Sequence, residues 1–575
     1  MRLISSKSKN SESFYISESY TKSDGKRSSR IVRHLGKLDD LLAEHGPSRN
    51  DVVAWARNEA KLETAKHKKD NVTRAVQITF HADRPLDYGQ RKLYKGGYLF
   101  IQYIYYALGL NRICRKIRDK YKFQYDINAI LSDLIYNRVL DPKSKLSAFK
   151  AAQEYLEPPA YELHDVYRAL SVLANENDLI QSEVFKNSCL LGKRNANVLY
   201  YDCSNFYFEI EQEDGEKKYG KSKEHRPNPI VQMGLFMDGD GIPLAFSIFP
   251  GNQNEQTSLK PLEEKVLQEF GCDKFIYCCD AGLASQTNRR FNHIGQRSFI
   301  VTQSIKKLPK EYKDQALDRS GFKRLSDGRP ADIEDLSDDD TGSLFYKEIP
   351  YERAGIDQLL IVTYSPSYAA YQKAVREAQV ERAKSMIAEG HLKKNRRNPN
   401  DPARFVNKFA VTEDGEKAAI HYELDEDKIA EEEQYDGLYA VSTDLLEDDV
   451  RGILKVSEGR WQIEECFRIM KTDFSARPVY VQREDRIKAH FLVCFLSLLC
   501  YRLLEKKLGG KYTCENILEK LRQMNFAEIE GQGFMPVYIR DELTDALHEI
   551  CGFRTDNQFI TRSDMKTIQR KSKGR

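Results

Sequence analysis

Three acidic residues stand where a carboxylate could do chemistry. Asp202 follows the apolar residues 198–201, Asp280 follows the apolar residues 275–279, and Glu464 lies in a charged stretch far downstream. An acid at the end of an apolar strand loses hydration, which costs free energy unless a cation or hydrogen bonds compensate. Three convergent carboxylates also repel one another, and a bound Mg²⁺ or Mn²⁺, which prefers oxygen ligands, removes that repulsion. Two such ions about 3.5–4 Å apart can activate water or a 3′-hydroxyl and stabilise the leaving oxygen of a phosphodiester.

The stretch around Glu464 has the pattern of a single helix over residues 457–474. Apolar residues recur there at helical spacing: Ile463, Phe467, Met470 and Phe474. The adjacent face carries a row of charged residues: Arg460, Glu464, Arg468 and Lys471. A carboxylate flanked by cations could bind a metal through the acid and phosphates through the bases. The alternative is an ordinary solvated face with ion pairs one helical turn apart.

Composition limits the classes of protein that the chain can represent. A length of 575 residues implies several domains, or one large domain with additions, and 41% hydrophobic residues are ample for buried cores. The net charge is only +3, so any affinity for nucleic acid must come from local basic patches. The eleven cysteines include no Cys-x-x-Cys pair and no Cys/His cluster at zinc spacing. This pattern argues against a zinc finger and is typical of a reducing cytosol.

Neither the N-terminal sequence nor the most apolar run of the chain indicates a membrane segment. The N-terminal sequence MRLISSKSKNS is polar and lacks the apolar core of a signal peptide. Residues 491–504 are the most apolar run, but the run is too short to span a bilayer. We therefore expect it to form a buried helix.

Residues 1–80 are predicted to form a β-hairpin followed by a helical connector over 51–69. Strands near 14–16 and 30–35 flank the turn signal of residues 23–26. The hairpin carries a basic cluster: Lys22, Lys26, Arg27, Arg30 and Arg33. These cations either contact phosphates or protect an edge strand from aggregation, and the sequence leaves both interpretations open.

Residues 81–195 are predicted to be helical. Apolar periodicity and the breaks at Asp141-Pro142 and Pro158-Pro159 predict helices over 98–108, 110–121, 127–140, 143–155 and 164–175. A helical region of this size could bind DNA or form a dimer contact. No helix-turn-helix pattern is evident, so plain packing is the favoured interpretation.

The remainder is predicted to be an α/β domain with a β-rich interruption. Over 196–303 the order of elements is three strands, a helix, a strand, a helix and a strand, which indicates a mixed sheet with helices packed against it. Residues 304–455 read as a β-rich insertion between Asp280 and the Glu464 stretch. Residues 456–510 would complete the catalytic domain. Residues 511–575 read as a helical region with a basic tail over 566–575, which we expect to be disordered.

The ordered set of acids resembles the DDE transposases of bacterial insertion elements, which have a ribonuclease-H-like catalytic domain. More narrowly, it is similar to the YREK group, whose last motif reads Tyr, two residues, Arg, three residues, Glu, six residues, Lys. Arg460, Glu464 and Lys471 match that spacing, and Ser457 stands where the group has tyrosine. The stretches VLYYDCSNFYFE, FIYCCDAGLAS, YGKSKEHRPN, GIPLAFSIFPGNQNE and RPVYVQREDRIKAHFLVCFLSLL also resemble this group, as does the β-rich insertion.

The resemblance implies roles for these residues. Asp202, Asp280 and Glu464 would be the catalytic residues and hold two Mg²⁺ ions, with Mn²⁺ as a substitute. Arg460 and Lys471 would hold phosphates of the transposon end. The loop after the first strand would contact DNA near the active site through Lys221, Lys223, His225 and Arg226, or would be a solvated basic loop.

Two neighbours of Glu464 have their own interpretations. Glu465 is the nearest competing acid, but its position breaks the motif spacing and helical geometry turns it to another side. Trp461 is interpreted as a packing residue, with base stacking as the alternative.

The implied function is a DNA transposase that binds element ends, nicks them and joins the freed 3′ ends to target DNA. Double-stranded DNA would be its partner, a homodimer on two ends its assembly and the bacterial cytosol its location, with no membrane involved. Two alternatives stay open. One is a nuclease of the same fold that cuts without joining, and the other is a catalytically silent DNA-binding protein derived from a transposase.

Overall fold

The computed structural model describes residues 1–8, 11–21, 27–70, 76, 78, 83, 85, 88–353, 355–389, 400–411 and 419–575. They form two compact units, Met1–Gln90 and Arg91–Arg575.

The first unit is a three-stranded antiparallel sheet with two helices. Its elements are β1 (Arg2–Ser8), β2 (Ser11–Thr21), β3 (Arg27–Lys37), α1 (Leu38–His45) and α2 (Arg49–Asp70). Strand β2 lies in the centre, and a small core forms around Phe14, Leu41 and Val52. The predicted hairpin and helical connector are confirmed, and β1 is an additional strand. The predicted turn at 23–26, together with Lys22, Lys26 and the side chain of Arg27, lies outside the described residues.

The second unit begins with a short strand and a group of helices. These are β4 (Leu93–Lys95), α3 (Tyr98–Ala107), α4 (Leu110–Tyr121), α5 (Ile127–Leu140), α6 (Lys145–Ala152), α7 (Leu163–Asn175) and α8 (Asn177–Leu191). Helices α3 to α7 confirm the five predicted helices, although α6 is shorter at both ends. Side chains cap two of them at the N-terminus: Asp126 accepts backbone N–H groups of α5, and Ser144 does the same for α6.

Residues 196–303 form the centre of a nine-stranded sheet. Their elements are β5 (Val198–Tyr207), β6 (Ile230–Asp238), β7 (Pro243–Pro250), α9 (Glu255–Lys265), β8 (Ile276–Cys279), α10 (Gln286–Asn292) and β9 (Ser298–Thr302). The strand order is β7-β6-β5-β8-β9, with β5, β8 and β9 parallel and the β5-β6-β7 meander antiparallel. The predicted mixed α/β architecture is confirmed, and this order is consistent with a ribonuclease-H-like fold.

Residues 304–455 extend the same sheet instead of forming a separate β body. They supply α11 (Lys310–Leu317), β10 (Lys323–Arg324), β11 (Phe345–Arg353), β12 (Ile356–Tyr364), α12 (Pro366–Ala388), β13 (Val406–Val411), β14 (Ala419–Leu424), α13 (Glu426–Glu433), β15 (Leu438–Thr443) and α14 (Val450–Glu458). Strand β15 pairs antiparallel with β9, and the full order is β10-β11-β12-β15-β9-β8-β5-β6-β7. Strands β13 and β14 pair with each other in a two-stranded sheet.

The prediction of one helix over residues 457–474 is wrong. The chain instead forms the end of α14, then α15 (Trp461–Arg468), then a π-helical turn, Ile469–Asp473. The break has a visible cause: the Tyr200 hydroxyl of β5 donates to the carbonyl of Val456 at 2.9 Å. That carbonyl would otherwise accept the helical hydrogen bond from Arg460, whose N–H bonds to Ser457 at 3.3 Å. A side chain at Gly459 would collide with the same tyrosine.

The next helix, α16 (Glu484–Lys507), is the core helix of the second unit. Among the described residues it is the one helix long and apolar enough to cross a membrane, and 94% of its apolar window is buried inside the protein. The prediction that residues 491–504 form a buried helix is therefore confirmed.

The C-terminal region closes the unit with α17 (Cys514–Gln523), β16 (Asn525–Ile529), β17 (Gly533–Pro536), α18 (Glu542–Cys551), β18 (Ile560–Thr561) and α19 (Arg562–Ser572). The expected disorder of residues 566–575 is wrong. Met565 and Ile568 are buried, the Ser572 hydroxyl donates to Gln102 at 2.6 Å, and Lys573 pairs with Glu157 at 2.6 Å. Apolar anchoring on one face of α19 thus outweighs the basic composition of the tail.

Candidate active site

Asp202 and Asp280 come together where β8 ends beside the middle of β5, because these two strands are parallel neighbours. Strand β5 pairs with β8 so that Tyr200 lies beside Cys278. Extending this register by two residues places Asp202 beside Asp280, just past the end of β8. Because side chains alternate along a strand, both acids share the face that Tyr200 and Cys278 present to the core helices. The structure therefore brings these two predicted residues together.

Asp202 occupies a strongly unfavourable place for a charge. Burial raises its pKa to about 6, with further repulsion from Asp280 and Glu255, although the Lys223 ammonium opposes the increase. One backbone N–H, that of Cys203, donates to its Oδ1 at 2.7 Å. Asp280 is held by a different contact, the N–H of Leu283, which donates to its Oδ1 at 3.0 Å. The two carboxylates thus have donors from the backbone but too few cations for their charge.

Glu255 is an acid of this cluster that the sequence reasoning missed. It lies in the first turn of α9, and its Oε1 is 3.8 Å from Nζ of Lys223. The sequence did contain a sign of this acid. In the stretch GNQNE, Glu255 follows the loop after β7 and is the first residue of the next helix. No motif spacing marks Glu255 in the sequence, so its position near Lys223 becomes apparent only in the fold.

Lys223 is exposed but lies beside these acids. Its ammonium donates to the carbonyl of Cys203, and its side chain is 43% exposed. Burial would lower the pKa of this ammonium, but Asp202 and Glu255 together raise it. Lys223 is thus the cation that partly neutralises the acidic edge, a role that differs from the predicted DNA contact and does not exclude it.

Glu464 stands at the rim of the site. Its side chain is 64% exposed and pairs with Arg460, the Nη1 to Oε1 distance being 3.5 Å. Burial alone would lower the pKa of the Arg460 guanidinium, but Tyr439, Glu464 and Asp280 raise it. Arg460 therefore lies between Glu464 and Asp280 and links the motif helix to the acidic edge. Its Nε has no hydrogen-bond partner among the described residues.

Glu465, the competing acid, is occupied elsewhere. Its carboxylate accepts two hydrogen bonds from Arg468, at 2.6 and 2.7 Å, and this pairing lowers its pKa. Together with Trp461, which is 60% exposed, it lines a separate cavity on the other side of α15. This placement favours Glu464 over Glu465 as the acid that serves the site.

Lys471 points from the π-helical turn toward Asp202. Its side chain is only 13% exposed, and its Nζ lies 4.0 Å from Glu224 and 5.6 Å from the centre of the Phe206 ring. Burial and, to a smaller extent, the charge of Lys223 lower the pKa of Lys471 to about 8, against the opposing effect of Asp202. A half-desolvated ammonium beside the acids is a suitable partner for a phosphate.

The other predicted loop residues lie around this group. Lys221 and His225 are exposed, and His225 has a positive φ of 56°. The Arg226 guanidinium stacks 4.3 Å from the centre of the Tyr207 ring and lies 3.6 Å from Glu224. Two contacts of Asn205, with the carbonyl of Lys221 and the N–H of Lys223, each 3.1 Å, anchor the loop to β5. A basic loop is therefore held beside the acidic edge.

The carboxylates at this edge fit a divalent cation. Asp202, Asp280 and Glu255 are hard oxygen donors, and burial together with the neighbouring acids raises the pKa of Asp202 even with Lys223 nearby. Glu464 would have to exchange Arg460 for the ion. By contrast, the described side chains whose ligand atoms all lie within 4.8 Å of one another are Asp545, His548 and Asp556.

That second group is already neutralised by its own cations. Arg540 lies 3.0 Å from Asp545 and 3.2 Å from Asp556, and Arg554 contacts both acids at 2.6 and 2.5 Å. A cation would have to displace two guanidinium groups to bind there. The sheet edge is thus the better candidate for a metal, although its acids are less tightly clustered.

Comparison with known proteins places this site in a family. Residues 196–500, more than half of the chain, match the family model described as transposase DDE domain. The chain belongs to the transposase DDE domain family, which is a family of DNA transposition enzymes that generally use divalent metal ions.

The other comparisons add little. The cryo-EM structure of a piggyBac transposase synaptic complex with hairpin DNA is similar at 9% identity and a TM-score of 0.36, covering 83% of this chain and 90% of that one. A TM-score this low supports no transfer of residue roles. No curated protein sequence matches the chain.

Proposed function

We propose that this protein is the transposase of a bacterial insertion element, of the YREK group. It binds the ends of its element, hydrolyses phosphodiester bonds there and joins the 3′ ends to target DNA. The observation that carries the proposal is that Asp202, in the middle of β5, and Asp280, just past the carboxyl end of β8, lie on neighbouring parallel strands in a register that sets them side by side. Membership of the transposase DDE domain family makes phosphodiester chemistry the natural use of such an edge.

Asp202, Asp280 and Glu464 would hold two Mg²⁺ ions, with Mn²⁺ as a substitute. When bound, the ions would supply activation of the attacking oxygen and stabilisation of the leaving oxygen. The burial of Asp202 beside Asp280 and Glu255, which raises its pKa, supports this assignment because a divalent cation would stabilise the charged carboxylates. The pairing of Glu464 with Arg460 supports a role for Arg460 as the group that holds the glutamate at the rim.

The cations around the acids would bind the DNA. Lys471 and Arg460 would contact phosphates of the transposon end, because each lies next to an acid of the site and is mostly buried. Lys221, His225 and Arg226 project from the loop beside them and would contact the flanking backbone. Ser457, in place of the motif tyrosine, is buried, and the nearby Tyr200 hydroxyl bonds the backbone of the same turn.

The wider assembly follows from the proposed reaction. The protein would act on double-stranded DNA as a homodimer that holds two element ends, in the bacterial cytosol. The basic hairpin of residues 1–80 and the helices of residues 81–195 are the candidate modules for reading the ends.

Cleavage of the element's own ends tests the proposal. The substrate is a duplex with the inverted repeat that flanks the coding region, and the variants are Asp202→Asn and, as a matched control, Asp273→Asn. Asp273 is an exposed acid before β8, away from the carboxyl edge. We expect Mg²⁺-dependent cleavage and strand transfer with the wild type and Asp273→Asn, and neither with Asp202→Asn. Cleavage without joining would indicate a nuclease, and binding without metal-dependent cleavage would indicate a silent DNA-binding protein.

A further inference from the structure

A second charged cavity lies between the helical region and the segment that follows Lys471. It has a volume of about 430 Å³, within the range typical of ligand sites. Polar and basic side chains dominate its walls: Arg138, Lys145, Ser147, Ser475, Arg477 and His490. All of its lining residues belong to the described part of the chain, and none of them is acidic.

Lys145 is the most unusual of these residues. It is 6% exposed, and within the described part of the chain its ammonium has neither an ion pair nor a hydrogen bond. Burial, with a smaller contribution from the charge of Arg138, lowers the pKa of Lys145 to about 7. A buried amine without a partner costs stability, so a protein that keeps one needs another reason to do so.

Arg138 adds a second buried positive charge. It is 5% exposed, and its Nη1 donates to the carbonyls of Phe474 and Ser475 at 2.9 and 3.1 Å. Its Nε has no hydrogen-bond partner among the described residues. Carbonyl oxygens share the protons of the guanidinium but do not cancel its charge.

His490 does not supply a negative counterpart. Its Nε2 lies 3.0 Å from the carbonyl of Ala476, which assigns the ring proton to that nitrogen. Burial lowers the pKa of His490 well below its usual value, with further lowering by Lys145 and Arg138. The ring is therefore neutral, and the buried charge of the cavity is positive.

The start of helix α6 faces the same cavity. Ser144 caps this eight-residue helix, and its Oγ accepts the N–H of Ser147 at 3.2 Å. Helix N-termini carry partial positive charge and favour anions. The helix end would not make a site alone, but the buried, unpartnered Lys145 is an independent observation that points to an anion.

The cavity is connected to the active site through one acid. Arg477 lines the cavity and contacts Glu224, and the same Glu224 lies 4.0 Å from Nζ of Lys471. Lys471 in turn faces Asp202. A line of cations thus runs from the acidic edge into the cavity.

We propose that this cavity binds a backbone phosphate of the DNA strand that enters the active site, an inference that rests on the proposed function. The phosphate oxygens would accept from Lys145 and from the first turn of α6, and Ser147 would add a hydroxyl donor. Neutralisation of the buried cations would then be coupled to DNA binding. Lys145 is a DNA-binding residue in this assignment, and Arg138 is a positioning residue that ties the cavity to residues 474–475.

The first test uses inorganic phosphate, which needs no DNA and no catalysis. Thermal unfolding of the full chain is measured in phosphate and in chloride at equal ionic strength, for the wild type, Lys145→Met and Lys150→Met. Lys150 is an exposed lysine on the same helix and serves as the matched control. We expect phosphate to raise the midpoint of the wild type and of Lys150→Met, but not of Lys145→Met. An equal phosphate shift in all three proteins would overturn the cavity as an anion site.

The second test measures binding of the terminal-repeat duplex as a function of salt. Loss of one phosphate contact reduces the slope of log affinity against log salt by about 0.9, so we expect that reduction for Lys145→Met and none for Lys150→Met. A lost phosphate shift with an unchanged DNA slope would overturn the assignment to DNA and leave a site for a free anion. Lys145→Gln serves as a second variant if the methionine protein does not fold.

The two proposals can fail separately. Absence of cleavage by the wild type would contradict the transposase proposal while leaving the phosphate result intact. Normal cleavage combined with identical phosphate shifts in all proteins would contradict the cavity alone.

Discussion

Two regions of buried charge flank the segment from Lys471 to Arg477, and they have opposite signs. At the sheet edge Asp202 and Asp280 carry more negative charge than Lys223 neutralises. In the cavity beside α6, Arg138 and Lys145 carry positive charge that no lining acid neutralises. The buried acids of the first region favour a further cation beside Lys223, and the second region has no acid in its lining. A metal ion and a DNA phosphate are partners of opposite charge for these two regions.

A third charged group shows what a purely structural arrangement looks like. Asp545 and Asp556 are closer to a shared point than the acids of the sheet edge, yet Arg540 and Arg554 pair with both of them. We therefore expect the absence of internal counter-ions to be a better guide to a metal site than the tight clustering of acids. The following predictions test this distinction, beginning with the largest expected effect.

Replacing Asp202 by Asn should abolish cleavage while stabilising the fold. Loss of a metal ligand is expected to reduce the cleavage rate by on the order of ten-thousandfold, equivalent to about 5 kcal/mol. The folded-state pKa of Asp202 is about 6 against an ordinary value of 3.8. The charged form is therefore disfavoured by folding, and its cost is fully present above pH 6. Thermal unfolding at pH 7.5 with a chelator should show a higher midpoint for the variant.

The control for this experiment is Asp273→Asn, which should alter neither quantity. An Asp202→Asn protein that is inactive but less stable than the wild type would contradict the view that the carboxylate is held against its electrostatic preference. Asp202 would then be an acid that stabilises the fold.

Glu464 and Glu465 form a matched pair of neighbours for the second prediction. Glu464→Ala should reduce cleavage by about a thousandfold and leave DNA binding intact, because it would remove one of the proposed metal ligands. Glu465→Ala removes only the pairing with Arg468 and should change stability by less than about 1 kcal/mol with cleavage retained. Measured cleavage rates and duplex affinities of both variants show which glutamate is the third acid of the site. The reverse result would reassign the third acid.

Local patterns in the sequence predicted much of this fold, and the failures have identifiable causes. The helices between Tyr98 and Asn175 followed from apolar periodicity and proline breaks, which act locally. The break at Gly459 did not, because it depends on the Tyr200 hydroxyl, a residue more than 250 positions away. The joining of β15 to β9 is likewise a choice of partner that strand patterns alone do not encode.

The residues of the candidate site likewise fall into those that local sequence patterns predict and those that depend on the fold. Asp202 and Asp280 could be found because each ends an apolar run, and the register of two parallel strands does the rest. The position of Lys223 among the acids, the acid Glu255 and the unpartnered Lys145 could not be predicted. The role of each depends on which charged groups the fold brings close to it, and local sequence patterns do not contain that information.

Lys145→Met gives the third prediction, an increase in stability that depends on pH. The folded-state pKa of Lys145 is about 7, against an ordinary value of 10.5. Between these values the unfolded chain binds more protons at this residue, so the stability of the wild type should rise with pH. The gain from Lys145→Met should be about 1–3 kcal/mol below pH 7 and should shrink toward pH 10.5. Denaturant unfolding at pH 6.5 and 9.5 measures it.

The control for the pH dependence is Lys150→Met, because its lysine is exposed and its stability difference should be the same at both pH values. A Lys145→Met protein that is destabilised equally at pH 6.5 and 9.5 would show that the lysine stem packs the cavity and that its charge is satisfied. The charges in the cavity would then be neutralised within the protein, as they are where Arg540 and Arg554 pair with Asp545 and Asp556.

The smallest expected effect separates the two acidic groups directly. Binding of Mg²⁺ at ten times its dissociation constant stabilises a folded protein by about 1.4 kcal/mol, which raises the thermal midpoint. The wild type should show this shift, and Asp280→Asn should lose it. Asp545→Asn weakens the pairing with Arg540 and Arg554 but should keep the Mg²⁺-dependent shift unchanged. A Mg²⁺-dependent shift in the midpoint that remains in Asp280→Asn and disappears in Asp545→Asn would assign the metal site to the C-terminal group. The closeness of the acids to one another would then be a better guide to a metal site than the absence of neutralising cations.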